Sequence, residues 1–405
     1  FDVGGGNMRT LQVDAGQYVK VTGTAVSLTV GEQSLSGNFS IEKSGAVVNV
    51  AASAVTLQLQ SGGTVFVDVA QGAGEFEINT QGIAGGLSIG SLTLNVPGVT
   101  FTTSTVRIEL NTRLVEVSRS FDLGSGPEAL VLPGGPYLRV TVLGASLTLG
   151  GLTSGGAAAS LSGNFFFDQV AGVTRIAATD VTASVDVNGD GAQLLDGEGG
   201  IVITDTGVAG SMSGTLQASA GGVDAGGTLI LRFNNSGVAV DEEIEIGADR
   251  LRISFSASEG NIFAVSLIGA TLNIGDIVTI EGNVSFVTQN GRQVLAGNDL
   301  TLFIGDGPAK LEDGEINPFA RGLLVTNATV GLVKVDDVGG PFYALEANGA
   351  VTVVGITDLR LEGTIRVRVN TFTAAVNETI GIAGTDQAVT CLLYTSDAAD
   401  DVSTV

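Results

Sequence analysis

The residues best spaced for chemistry are Asp186, Asn188 and Asp190, in the run Val185-Asp186-Val187-Asn188-Gly189-Asp190-Gly191. They take positions one, three and five of a D-x-N-x-D-G loop, where side-chain oxygens would meet a hard cation and Gly191 would allow the sharp turn. Calcium is the one cofactor this pattern could hold. The twelfth position, where such loops place a bidentate Glu, is Gly197, flanked by Asp196 and Glu198. No helix is expected on either side, so the segment reads as a hairpin loop with half of a ligand set. Asp, Asn and Gly also make a good turn with no ion at all.

The other acidic runs carry less. Asp306, Glu312, Asp313 and Glu315 lack metal spacing, and Lys310 among them offers internal neutralisation. Asp241-Glu242-Glu243 reads as a solvated charge run. Gly86-Leu87-Ser88-Ile89-Gly90 matches a nucleophile elbow by letter, but that elbow needs a strand-to-helix turn and a base. The chain has no His, so it has no Ser-His-Asp triad, no Cys-His dyad and no imidazole metal ligand. One Cys permits neither an internal disulfide nor a thiolate zinc site. Paired carboxylates acting on a polysaccharide remain the weakest of three functional readings, because the Trp that commonly stacks on sugars is absent. No catalytic residue is assigned, and the chain reads as a non-enzyme.

The elements that would position these residues are strands. Of 405 residues 60 are Gly, about twice the ~7% typical of proteins, while 44% are hydrophobic and 15% charged. The formal charge of −24 argues against nucleic acid or anionic lipid as a partner. Alternation dominates: Val26, Leu28 and Val30 fall on one face with Ser27 and Thr29 opposite, and the rhythm returns at 55–60, 91–96 and 363–369. The long uncharged stretch 78–106 is broken by Gly, Ser, Thr, Asn and Pro97, and reads as strands rather than as a membrane span. Trp is absent and Tyr scarce, which removes the aromatic girdles of a membrane β-barrel.

The chain also repeats itself. Phe1-Asp2-Val3-Gly4 returns as Phe121-Asp122-Leu123-Gly124, then more weakly as Ile244-Glu245-Ile246-Gly247 and Ile380-Gly381-Ile382. Leu35-Ser36-Gly37-Asn38-Phe39 returns as Leu161-Ser162-Gly163-Asn164-Phe165 and is echoed by Ile280-Glu281-Gly282-Asn283-Val284. Gly82-Ile83-Ala84-Gly85 parallels Gly207-Val208-Ala209-Gly210, and Asn111, Asn234 and Asn370 close successive units. Agreeing offsets of about 120–136 residues define repeats at 1–120, 121–243 and 244–379, with a fourth beginning at 380–390. The third is the longest, and its extra length is expected near 305–321 or 336–341. The expected fold is all-β: an elongated antiparallel β-meander folded into two facing sheets, with tandem β-sandwiches or a β-solenoid as alternatives.

The LSGNF blocks, with Val96-Pro97-Gly98-Val99-Thr100-Phe101 and 373–379, resemble the tandem repeats of very large, acidic, Cys-poor bacterial surface or secreted proteins of the adhesin type. That resemblance implies an extracellular or cell-surface setting and a scaffolding or adhesive role. The implied partners are neighbouring repeats of the same chain and a surface, matrix or protein ligand, with no membrane insertion of this segment. A calcium-dependent extracellular binding module is the alternative. Residues 391–405 stand outside the repeat. The run Cys391–Asp400 resembles the in-frame translation of a transposase-type sequencing adapter, so the tail is expected to be non-native, with the last native residue before Cys391. Asn38, Asn234, Asn283, Asn327 and Asn377 head formal glycosylation sequons, but Phe166 replaces the Ser in the second LSGNF copy, so the Asn is expected to serve the turn or strand.

Overall fold

The computed structural model describes residues 10, 13, 15–30, 33–61, 64–96, 99–122, 127–149, 158–170, 172–187, 190–246, 249–274, 277–289, 291–309, 311, 317–337, 340–381 and 388–393. They form an all-β protein with one 3-10 turn at Ala257–Glu259. The alternating Val/Leu/Ile/Thr segments become long strands, and most of those strands pair antiparallel with the next in the chain. The meander expected from sequence is therefore what is found.

Two compact units divide the chain: 1–95 with 103–141, and 96–102 with 142–405. In the first, β1 (Tyr18–Val30), β2 (Gln33–Ser44), β3 (Val47–Ser61), β4 (Thr64–Asn79) and β5 (Gly82–Ile89) pair in order. β6 (Ser91–Val96) also pairs with β4. β7 (Val99–Thr103) is followed by β8 (Thr105–Asn111), which pairs with β5. β9 (Val117–Asp122) and β10 (Pro127–Leu132) form a separate hairpin.

β11 (Tyr137–Leu149) leads into the second unit, where its Ser146–Leu149 stretch pairs with Val99–Thr102 of β7. The meander there runs through β12 (Ala158–Val170), β13 (Val173–Val187), β14 (Asp190–Thr204), β15 (Gly207–Ala220) and β16 (Val223–Asn234). β17 (Val240–Ile246) and β18 (Asp249–Phe255) form a second small hairpin. β16 then pairs directly with β19 (Ile262–Ile274), so successive repeats share one ladder. The ladder continues through β20 (Val278–Gln289), β21 (Arg292–Asp306), β22 (Arg321–Asp337), β23 (Gly340–Val354) and β24 (Glu362–Asn370). A third hairpin joins β25 (Val376–Gly381) to β26 (Ala388–Leu393). The backbone of Cys391–Leu393 thus continues a strand, and residues 394–405 lie outside the described residues.

Each hairpin covers one face of its meander, and small residues make room for it. Val117, Leu130 and Leu132 pack on Ala51 and Ala84. Val240, Ile244, Ile253 and Phe255 pack on Ala177, Val202 and Ala209. Ile380 and Val389 pack on Ala296 and Val333. The layer facing the meander is thus supplied, among the described residues, by two-stranded hairpins. Each large side chain so buried is worth about 1.5–3 kcal/mol. The third repeat's extra length lies between β21 and β22, where residues 307–320 connect strands whose counterparts β13 and β14 are joined by residues 188–189 alone. Ala309 and Ala320 from this insertion close a fourth cluster over Phe303 and Leu324.

A row of bulges crosses the sheets. Ala25, Ala54, Asp180, Asp299 and Asn327 take positive φ between 50° and 53° in mid-strand, and the ladder registers shift beside them. Each bulge bends its strand and increases its twist.

Candidate functional site

The charged side chains converge at the hairpins. Glu77 on β4 is 1% exposed, and Arg113, just after β8, is 4% exposed. Arg113 donates through Nη1 to Glu77 Oε1 at 2.6 Å and through Nη2 to the Glu77 carbonyl at 2.7 Å. Arg119 on β9 donates through Nε to Glu77 Oε2 at 2.5 Å. Burial pushes the Glu77 carboxyl up, but the hydrogen bonds and charges of Arg113 and Arg119 outweigh it and hold the group below the ordinary carboxylate range.

The second hairpin is tied by different residues to the same effect. Arg175 on β13 grips Asp168 through two bonds of 2.8 and 2.9 Å, and reaches β17 at the Glu243 carbonyl (3.0 Å) and Glu242 Oε2 (3.4 Å). Its guanidinium pKa rises, chiefly through the hydrogen bond to Asp168. Arg232 on β16 donates to the Ser254 carbonyl and to Glu259, and lies 4.8 Å from the centroid of the Phe255 ring. On β23, the buried Glu346 accepts from Arg366 and Arg368 of β24. The Asp241-Glu242-Glu243 run is exposed in part, as expected, but each acid also meets an arginine, and Asp241 takes both forks of Arg252 at 2.6 and 2.7 Å.

The repeated asparagines do similar work on the backbone. Asn111, Asn234 and Asn370 each end the last meander strand before a hairpin. Each accepts from the backbone N–H two residues on, of Arg113, Ser236 and Phe372. Each donates to the carbonyl four residues on, of Val115, Val238 and Ala374. Asn317 in the insertion repeats the first bond to Phe319 and also caps the Pro308 carbonyl.

The LSGN asparagines form a second class. The Oδ1 of Asn38, Asn164 and Asn283 accepts from Ala25, Gly144 and Gly269, the left-handed bulge residues of the preceding strand. The glycine before each is in the positive-φ region, and a Cβ on Gly282 would lie 2.8 Å from the Asp299 carbonyl. These amides are engaged in the fold, as the missing sequon at Phe166 implied.

The Asp186–Asp190 segment is the connection between β13 and β14, with Val187 paired to Asp190. Asn188 and the side chains of Asp186 and Asp190 lie outside the described residues. Asp196 and Glu198 sit far along β14, where Gly197 pairs with Val181, so the pairing removes them from any loop closed at Asp190. Among the described residues no three acidic or thiol groups cluster to hold a metal. Asp306 ends β21, while Lys310, Glu312, Asp313 and Glu315 lie outside the described residues. Gly86–Ile89 form the second half of strand β5, with no strand-to-helix turn of the kind a nucleophile elbow needs.

The face of β12–β16 away from the second hairpin carries a groove of about 320 Å³, lined by Phe165, Ile176, Val181, Leu194, Met212 and Phe233. It is apolar. The sequence did not single it out, because its residues are the ordinary alternate positions of strands. Among the described residues no helix is long and apolar enough to cross a membrane. No family model matches the chain, and neither a characterised protein nor a solved structure shows detectable similarity to it.

Proposed function

We propose that the chain is a non-enzymatic structural or adhesive repeat segment, a stalk or scaffold within a large bacterial cell-surface or secreted protein. The observation that carries this reading is the threefold recurrence of one clasp. An asparagine clip ends the meander, and the hairpin behind it is seated on small residues of that meander. Chemistry is spent on cohesion: Glu77, Asp168, Asp241 and Glu346 are tied to arginines across strands, and the surplus of acids keeps the surface soluble. Such a segment presents a binding region to a surface, matrix or protein ligand, and its own neighbours are further repeats.

Small-angle scattering from the chain, extrapolated to infinite dilution, tests the reading. A stalk gives the distance distribution of an extended particle. A compact, near-spherical distribution would overturn it.

A further inference from the structure

The geometry points to a head-to-tail self-association in which β24 of one molecule receives β1 of a second copy. β24 is described as paired with β23 alone, and its residues Glu362–Arg368 are exposed on both faces, including Ile365 and Val367. β1 is described as paired with β2 alone, and Val19 and Val21 stand 67% and 64% exposed. Neither strand carries a proline. The cations they carry, Lys20, Arg366 and Arg368, are each drawn to an acid of the adjoining strand, Glu42 or Glu346. The bulge of β1 has its counterpart in β19, which pairs with β16 all the same.

The fit between them is already written inside the chain. β16 ends in the asparagine clip of Asn234, as β24 ends in that of Asn370. β19 carries the bulge at Gly269 that donates to Asn283, as β1 carries the bulge at Ala25 that donates to Asn38. Since β16 pairs with β19, the closing strand of a repeat is complementary to the opening strand of the next. Transferring that register sets Asn370 opposite Tyr18, as Asn234 is opposite Ile262. Val369 then meets Val19 where Phe233 meets Phe263, and Val367 meets Val21 where Leu231 meets Val265. Arg368 falls opposite Lys20, but each cation has its own acid on the far side, Glu346 at 3.3 Å and Glu42 at 3.8 Å. The contact joins two different surfaces, so it is heterologous and propagates from copy to copy. Main-chain bonds along the added strand supply affinity, and the apolar valine pairs fix register.

Two measurements test it. Sedimentation velocity from micromolar to millimolar chain should show mass rising with concentration. Val367→Lys, at an exposed position, should weaken that association at least tenfold, and Val21→Glu in the same chain should restore it. In a Cys391→Ser background, chains carrying Val21→Cys and chains carrying Val367→Cys, mixed and oxidised with diamide, should form a mixed disulfide-linked dimer. Arg366→Cys in place of Val367→Cys, one step out of register and on the other face, should not. A single monomeric species at every concentration overturns the proposal, and so does association that Val367→Lys leaves unchanged. The scattering experiment at infinite dilution reads the single chain, so the stalk reading and this one fail separately.

Discussion

At the residue scale, an asparagine amide can accept and donate at once, and this chain uses that capacity to turn corners. Asn234 is 1% exposed and bonds the Ser236 N–H and the Val238 carbonyl, each at 2.9 Å. Asn234→Ala would strip the buried Ser236 N–H of its acceptor and leave the exposed Val238 carbonyl only the longer bond from Ser236 Oγ, and should cost about 1–3 kcal/mol in a denaturant titration. Gly282→Ala would force a Cβ against the Asp299 carbonyl at positive φ, and should cost about 1–3 kcal/mol in the same assay. Glu77 provides the pH signature. Its carboxyl is held below its unfolded value of about 4.3, so its stabilisation is complete above that pH and is lost as pH falls through the depressed folded value. The stability gap between wild type and Glu77→Gln, about 3 kcal/mol at neutral pH for a buried ion pair losing one partner, should therefore shrink below about pH 4. Asn111, Asn234, Asn370 and the LSGN blocks were legible in sequence as landmarks, because spacing survives where surrounding residues drift. The bonding of Asn38, Asn164 and Asn283 was not legible, since a side chain that spans two strands leaves no local pattern. Glu77, Arg113 and Arg119 left no signal at all, because they are 36 and 42 positions apart where they bond.

At the scale of elements, the hairpins are what convert a bare meander into a packed body. A sheet alone exposes both faces, and hairpins of six or seven residues per strand bury one of them. Their seats must stay small. Ala177, Ala51 and Ala296 stand at the same distance after Asn164, Asn38 and Asn283, so the seat is part of the repeat and not an accident of one copy. Ile253→Ala should cost about 2–5 kcal/mol by emptying the second hairpin's centre. Ala177→Leu should cost about 1–3 kcal/mol by lifting that hairpin from its seat, and thermal unfolding would read both. The strands were visible in sequence through alternation, and the boundary landmarks at Phe121 and Ile244 fall on the hairpins themselves. That these short strands leave the ladder and lie across it could not be read, because a docked strand and a paired strand share the same period of two. The position of the third repeat's insertion was legible, since Gly and Pro cluster with charges only there and near 336–341.

At the scale of the molecule, internal order follows from one rule used repeatedly: pair with the next strand, clip the last one, and cover the result with a hairpin. The one motif with ligand spacing, Asp186–Asp190, joins two adjacent strands of that meander. If it works only as a turn, millimolar calcium should leave the melting temperature unchanged, and a rise of several degrees would instead revive the binding-module reading. The central claim, that each hairpin is bound to its meander as one body, is tested most directly by native-state hydrogen exchange. The amides of β17 and β18 should exchange as slowly as those of β13–β15 beneath them, and Ile253→Ala should release the hairpin ahead of the sheet. Hairpin amides that exchange at the rate of free loops in the unmodified chain would contradict the account.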